Sequence, residues 1–233
     1  MIETYYASFL KMVSEGNKGL AILVDPDKFE LSTINLFLKH IPKETNCLFV
    51  GGSTVTDGIT EGLIEEFKKF TSLPIVIFPG DYSQVSKSAD AILFLSLLSG
   101  RNPEYLVGQQ VKAARTLRDM DLEIISTGYI LIDGGNESAV ERITGTRPMS
   151  QNDVQLIVDT AKAGEFLGAK CIYLETGSGA ITAVSTKIIS EVKNDITIPL
   201  IVGGGIRTED QKLAAYTAGA DMVVMGTVFE KKL

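Results

Sequence analysis

The chain has one histidine, two cysteines, and no apolar run that approaches the length needed to cross a bilayer. Each scarcity excludes something. A His-based metal site or a Ser/His triad would have to use His40 alone, and His40 sits in LKHIP near an expected helix end, where it reads as a surface or capping residue. Cys47 and Cys171 each fall inside an expected strand, so they read as free, buried thiols that fit a reducing cytoplasm. The start, MIETYYASFLKMVSEG, lacks the basic opening and apolar run of a signal peptide. Positive charge is also short: 22 Lys and Arg against 29 Asp and Glu give a net charge of −7. A long phosphate backbone is an unfavourable partner for such a surface, so nucleic acid is not expected. A single small phosphate remains acceptable, because backbone amides bind anions without Lys or Arg. No strand-end lysine suits a Schiff base, since Lys170 opens its strand, and this counts against class I aldolase chemistry.

What is present is a regular series of short apolar runs, each ending in Gly, Asp, Glu or Leu. They cover 19–25, 46–52, 73–80, 90–98, 122–133, 169–175, 198–205 and 221–226. They are nearly continuous in hydrophobicity rather than alternating, as parallel strands covered on both faces are. Helical periodicity fills most of the gaps, as in STINLFLKHI and NPEYLVGQQVKAARTLRDM, the latter opened by Asn102-Pro103 as cap and first turn. Ser150 or Asn152 is a corresponding cap for the helix before the sixth run. Eight strands alternating with helices predict a single (β/α)8 TIM-like barrel, with a doubly wound open sheet as the alternative. Between Phe78 and Ala91 lie only the residues PGDYSQVSKSAD, at the lower limit for a crossover that contains a helix. The third helix is therefore expected to be missing or vestigial. No linker or low-complexity block interrupts the chain, which reads as one catalytic domain over 1–233. Residues 133–150 form the longest irregular stretch and are expected to cover the active face.

In a TIM barrel the chemistry sits at the C-terminal ends of the strands. One of these ends poses a sharp question. The sixth run closes on Glu175, followed by Thr176-Gly177-Ser178-Gly179. A carboxylate leaving a core is costly unless solvated, paired or used. Either this is an ordinary surface loop, or it is a carboxylate at the mouth of a ligand site. Gly203 to Gly205 after the seventh strand and Gly226-Thr227 after the eighth occupy the standard barrel phosphate position, where glycine lets N–H groups converge on phosphate oxygens. Asp25, in LVDPDK, is either the cap of an Asp-Pro turn or a hard oxygen ligand for Mg²⁺. Ser53 and Thr54, in VGGST, read on position alone as an N-cap for the next helix. Phe78, Phe94, Leu97, Leu98 and Tyr129 are rim-side apolar residues suited to lining a groove, or to plain core.

LVDPDK, VGGS, STGYILI, YLETGSGA, IVGGGIRT and a terminal glycine loop, in this order, resemble the geranylgeranylglyceryl phosphate synthase family, including the related heptaprenylglyceryl phosphate synthases. The resemblance spans essentially the whole chain, and YLE-x-GSGA with VGGGIR is its specific part. It implies a TIM-like barrel whose third helix is replaced. It implies Mg²⁺-dependent transfer of a prenyl group from a prenyl diphosphate to the primary hydroxyl of sn-glycerol 1-phosphate, with release of diphosphate. By the same resemblance Asp25 and Ser53 match metal positions. Tyr173, Leu174, Glu175, Thr176, Gly177, Ser178, Gly179, Gly204, Gly205, Gly226 and Thr227 match glycerol-phosphate positions, with Glu175 as the base. Thr176 stands where relatives often carry Ala, and Thr227 where many carry Asn. Leu23 stands where the bacterial heptaprenyl branch carries Lys, which favours geranylgeranyl diphosphate as donor. The implied setting is cytoplasmic, with peripheral contact at a membrane surface for the lipid substrate and product, and a homo-oligomeric assembly. Two other classes stay open on the residues themselves. One is a phosphosugar isomerase of the histidine-biosynthesis type, using Asp25 and Asp133. The other is a non-catalytic phosphate- or prenyl-phosphate-binding barrel.

Overall fold

The computed structural model describes residues 4–52, 55 and 58–230. Eight parallel strands close into a barrel in chain order: β1 (Gly19–Val24), β2 (Cys47–Val50), β3 (Ile75–Ile77), β4 (Ala91–Leu97), β5 (Glu123–Leu131), β6 (Cys171–Glu175), β7 (Leu200–Gly203) and β8 (Met222–Met225). β8 pairs with β1, Ala21 against Val224, and completes the ring. The open-sheet alternative is therefore excluded.

The continuous apolar runs are explained by the period of two along a strand. Alternate residues face opposite layers, and both layers are dry. Leu20, Ile22, Val24, Leu48, Val50 and Ile172 pack outward against the helices. Ala21, Cys47, Phe49, Val76, Leu93 and Tyr173 fill the barrel interior. The two cysteines belong to this interior and are free. Burial pushes their thiols up, Cys47 to about 12 and Cys171 to about 11, so both are unreactive core groups.

The helices lie outside. They are α1 (Tyr5–Ser14), α2 (Ile34–His40), α3 (Ile59–Phe67), α4 (Gln109–Leu117), α5 (Ala139–Thr144), α6 (Val154–Phe166), α7 (Thr186–Asp195), α8 (Glu209–Thr217) and α9 (Thr227–Glu230). α1 closes the lower end: Phe9 joins the interior cluster, and the Tyr5 hydroxyl lies 3.2 Å from Cys47 Sγ. His40 ends α2, exposed, with Nδ1 2.7 Å from the Leu36 carbonyl oxygen, as expected of a capping residue. Between β3 and β4 residues 78–90 form turns and bends without a helix, so the third barrel helix is absent as expected.

Two local expectations need correcting, and a third falls outside the described residues. α3 starts at Ile59 with Gly58 as its N-cap in the left-handed region (φ 83°) and no side-chain cap hydrogen bond; the expected cap at Ser53 or Thr54 lies outside the described residues. α6 starts from Asp153, while the Ser150 hydroxyl instead accepts from the Asn152 N–H at 3.2 Å in a turn before the helix. The stretch 133–150 is not all irregular. It contains α5, capped by Ser138, whose hydroxyl accepts from the Glu141 N–H at 3.0 Å. Asn102 does cap its helix, accepting from the Glu104 N–H at 3.1 Å, and a π-helical turn, Glu104–Gly108, then leads into α4.

Candidate active site

The C-terminal rim of the barrel encloses a cavity of about 430 Å³. Its wall changes character around the ring. The β1 and β2 ends contribute Asp25, Gly51 and Gly52. The β3 and β4 side, with α4 and α5, contributes Phe78, Leu93, Phe94, Leu97, Val140 and Ile143. The β6, β7 and β8 ends contribute Glu175, Gly177 to Gly179, Gly204, Gly205, Gly226 and Thr227. The apolar sector coincides with the place where the third helix is absent.

Glu175 is the last residue of β6, opposite Gly203 in the register, and only 6% exposed. Its Oε1 accepts from the Gly177 N–H at 2.7 Å. Burial raises its carboxyl to about 7, while the nearby Tyr173 hydroxyl and the Gly177 N–H stabilise the charged form and act the other way. A carboxylic acid poised near neutrality on a cavity wall is suited to proton transfer.

Glycine at 203 and 204 is required by this carboxylate. A Cβ on Gly203 would lie 2.5 Å from the Tyr173 hydroxyl oxygen and 2.6 Å from Glu175 Oε2. A Cβ on Gly204, which has φ +78°, would lie 2.3 Å from Glu175 Oε1 and 2.4 Å from Thr176 Oγ1. The glycines thus let the β7 loop lie directly on the β6 loop. Among the described residues, the N–H groups of Ser178, Gly179, Gly204 and Gly205 donate to no protein acceptor. Unpaired N–H groups gathered at a cavity wall are able to hold an anion. Arg207 braces the two loops by donating from Nη2 to the Ala180 carbonyl at 2.6 Å.

Under the rim lies an aromatic floor. Phe78 stacks on Tyr173 at 5.2 Å, and Tyr129 meets Tyr173 edge-on at 5.5 Å. Desolvation holds both tyrosine hydroxyls protonated, with Glu175 adding to the effect. The Tyr173 and Thr176 hydroxyl oxygens are buried without a hydrogen-bond partner.

Asp25 ends the first strand turn as both readings require. Its Oδ1 accepts from the Asp27 N–H at 3.2 Å, its Oδ2 pairs with the Lys28 ammonium, and its side chain keeps 16% exposure on the cavity wall. Ser53 lies outside the described residues. Glu175, Gly177, Ser178, Gly179, Gly204, Gly205, Gly226, Thr227 and Asp25 are brought together on one cavity; Tyr173, Leu174 and Thr176 do not line it. Leu174 points into the outer layer between barrel and helices, so only its backbone faces the loop region. Of the apolar rim residues, Phe78, Phe94, Leu97 and Tyr129 line the cavity. Leu98 does not: its Cδ1 would meet a Cβ on Gly128 at 2.8 Å and one on Gly164 at 2.6 Å, outside the barrel. Asp133 is exposed, caps its own turn through the Gly135 N–H at 2.8 Å and is not on the cavity wall, so Asp25 and Asp133 form no acid–base pair.

Sequence inspection missed Val140 and Ile143, which α5 brings to the cavity, and the polar side chains Gln84 and Gln110. Ser138 followed three residues later by Glu141 is a capping pattern that signals α5. Nothing in the local sequence marks the two glutamines.

Known proteins are similar to this chain over nearly its whole length. The geranylgeranylglyceryl phosphate synthase of Flavobacterium johnsoniae is 51% identical over 231 residues, 99% of this chain and 95% of that protein. The enzyme of the same name from Thermococcus kodakarensis is 37% identical over 233 residues, 99% of this chain and 90% of that one. The crystal structure of (S)-3-O-geranylgeranylglyceryl phosphate synthase from Thermoplasma acidophilum in complex with sn-glycerol-1-phosphate superposes with a TM-score of 0.90 at 35% identity, covering 98% of this chain and 92% of that one. The PcrB family model matches residues 15–233, and the chain belongs to the PcrB family.

Proposed function

We propose that this protein is a prenyltransferase that joins a prenyl diphosphate, geranylgeranyl diphosphate, to the primary hydroxyl of sn-glycerol 1-phosphate through an ether bond. The observation that carries the reading is Glu175: a buried carboxyl raised to about 7, beside a nest of unpaired N–H groups, on a cavity continuous with an apolar groove. The names and the bound sn-glycerol-1-phosphate of the relatives support the same substrates.

In this reading the acceptor phosphate lies on the N–H groups of the 177–179 and 204–205 turns and beside Gly226-Thr227. That fixes the glycerol so that its free hydroxyl meets Glu175, and holding the reactants in place supplies much of the rate. The carboxylate takes the hydroxyl proton as the oxygen bonds to the first carbon of the donor. The bond from that carbon to the diphosphate oxygen breaks, and diphosphate leaves with its electron pair. The aromatic floor and the apolar sector hold the isoprenoid tail and keep water from the reacting carbon.

Asp25 would hold Mg²⁺. The donor set fits this ion: a single hard carboxylate, partly open to the cavity. Mg²⁺ binds through one or two carboxylates plus substrate phosphates and keeps its waters. When bound, it offsets the charge of the departing diphosphate. Ser53 belongs to the same proposal.

Among the described residues no helix is long and apolar enough to cross a membrane. Cytoplasmic location, peripheral contact with a lipid surface and homo-oligomerisation belong to the proposal. The test is incubation with labelled sn-glycerol 1-phosphate, prenyl diphosphate and Mg²⁺, followed by lipid extraction. Label in the organic phase is the expected result. Binding of both compounds without extractable product would leave a non-catalytic binding barrel.

A further inference from the structure

The segment that stands where the third helix would be carries a buried polar side chain with an unusual set of partners. Gln84 is 3% exposed. Its Nε2 donates to the Gly52 carbonyl at 2.9 Å. Its Oε1 accepts from the Gly80 N–H at 3.2 Å and from the Gly52 N–H at 3.5 Å. A buried carboxamide needs partners for both ends, because an orphaned donor or acceptor is costly. Here every partner is backbone of the loops that leave β2 and β3.

What the clamp holds is the wall beside Asp25. A Cβ on Gly52 would lie 2.8 Å from Asp25 Oδ1, so the Gly52 backbone is in direct contact with that carboxylate. A Cβ on Gly51 would lie 1.8 Å from the Phe78 carbonyl oxygen, so the same turn is pressed against the end of β3. Phe78 in turn stacks on Tyr173. No helix lies between β3 and β4, and β3 has only three residues. The glutamine amide supplies cross-links between the two loops that strand pairing does not reach.

We propose that Gln84 is a positioning residue for the donor half of the cavity: its carboxamide locks the Gly51-Gly52 turn to the Gly80 turn and so sets the surface that presents Asp25 to the diphosphate. The proposal rests on the donor reading of the Asp25 edge given above. Among the described residues the Gln84 side chain hydrogen-bonds to Gly52 and Gly80 and to nothing on β6, β7 or β8, so the acceptor half should keep its geometry when the clamp is lost.

The experiment compares Gln84→Met, which keeps length and removes every hydrogen bond, with Asp25→Ala and the unaltered protein. Prenyl diphosphate and sn-glycerol 1-phosphate binding are each measured by calorimetry in Mg²⁺, and amide hydrogen exchange is followed in peptides spanning 46–52 and 78–84. Gln84→Met should weaken donor binding about tenfold and speed exchange at Gly52 and Gly80, with acceptor binding within about twofold of normal. Equal loss of both affinities would mean general damage and overturn the proposal. Weakened donor binding in Asp25→Ala, with normal donor binding in Gln84→Met, would overturn the role of Gln84 alone. Normal donor binding in both would overturn the donor reading and this proposal with it. If Gln84→Met is too unstable to titrate, Gln84→Asn, which keeps the carboxamide but shortens its reach, is put through the same comparison.

Discussion

The backbone of Gly204 lies against the carboxylate of Glu175 so closely that a methyl group at residue 204 would come within 2.3 Å of Oε1. Glu175 ends β6 and Gly204 follows the last residue of β7, so their contact ties the unpaired N–H groups of the β7 turn to the carboxyl beside them. Among the described residues, the groups against Glu175 include Tyr173 on its own strand, Gly203 on β7 with Gly204 just after it, and Leu131 paired with it on β5, all uncharged.

Glu175→Gln keeps the shape and an acceptor for the Gly177 N–H but cannot take a proton. Turnover should fall by about 10²–10⁴-fold, the usual contribution of a positioned base. Affinity for sn-glycerol 1-phosphate should change by less than about tenfold, or 1.4 kcal/mol. Steady-state rates paired with acceptor calorimetry check this; near-normal turnover would remove Glu175 as base.

The pH dependence has a definite sign. In the proposed mechanism Glu175 acts as base when ionised, so turnover should rise with pH and level off above about 7, and this limb should vanish in Glu175→Gln. Stability should move the other way. The folded protein binds the Glu175 proton more tightly than the unfolded chain, so between about 4.5 and 7 this residue's contribution falls as pH rises. At pH 8 Glu175→Gln should therefore be more stable than the unaltered protein, by about 1–3 kcal/mol. Urea unfolding at pH 5 and pH 8 measures both differences.

Gly204→Ala and Gly226→Ala should separate cleanly. The first forces a left-handed backbone and a collision with Glu175 and Thr176, so it should weaken acceptor binding, lower turnover and cost stability. The second adds a Cβ 3.3 Å from Leu23 Cβ and the Leu23 carbonyl oxygen, a contact a small shift relieves. Its effect on acceptor affinity should be several-fold smaller. Equal effects at the two positions would misplace the phosphate.

Asp25→Ala should abolish most turnover and raise the Mg²⁺ concentration needed for what remains. A titration of activity against Mg²⁺, with a chelator blank, reads this out. Full activity in excess chelator would exclude a metal-assisted departure of diphosphate.

Donor length should follow the bulk of the apolar sector. Ala139 opens α5 on the cavity wall, and Ala139→Phe should shift preference toward donors shorter than C20. Competition among C10 to C35 diphosphates measures the preference. Indifference to length in the unaltered protein would remove the groove as a ruler.

The sequence by itself determined the architecture. Eight apolar runs, the helical periods between them and the short passage from Phe78 to Ala91 specify a barrel with a gap, because these are local signals of strand, helix and chain length. It also placed Asp25, Glu175 and the glycine turns on one rim, since in this fold all strand ends share a face. Only the tertiary structure decided what each side chain does there. Leu98 was expected on the rim and lies outside the barrel, because a shift of one residue in a strand reverses the face. Gln84 is legible only once two loops from different strands are folded against it. The proton affinity of Glu175 is the clearest case: burial raises it, and burial is a property of the neighbours that surround the carboxyl, supplied by β5 and β7 from either side of β6.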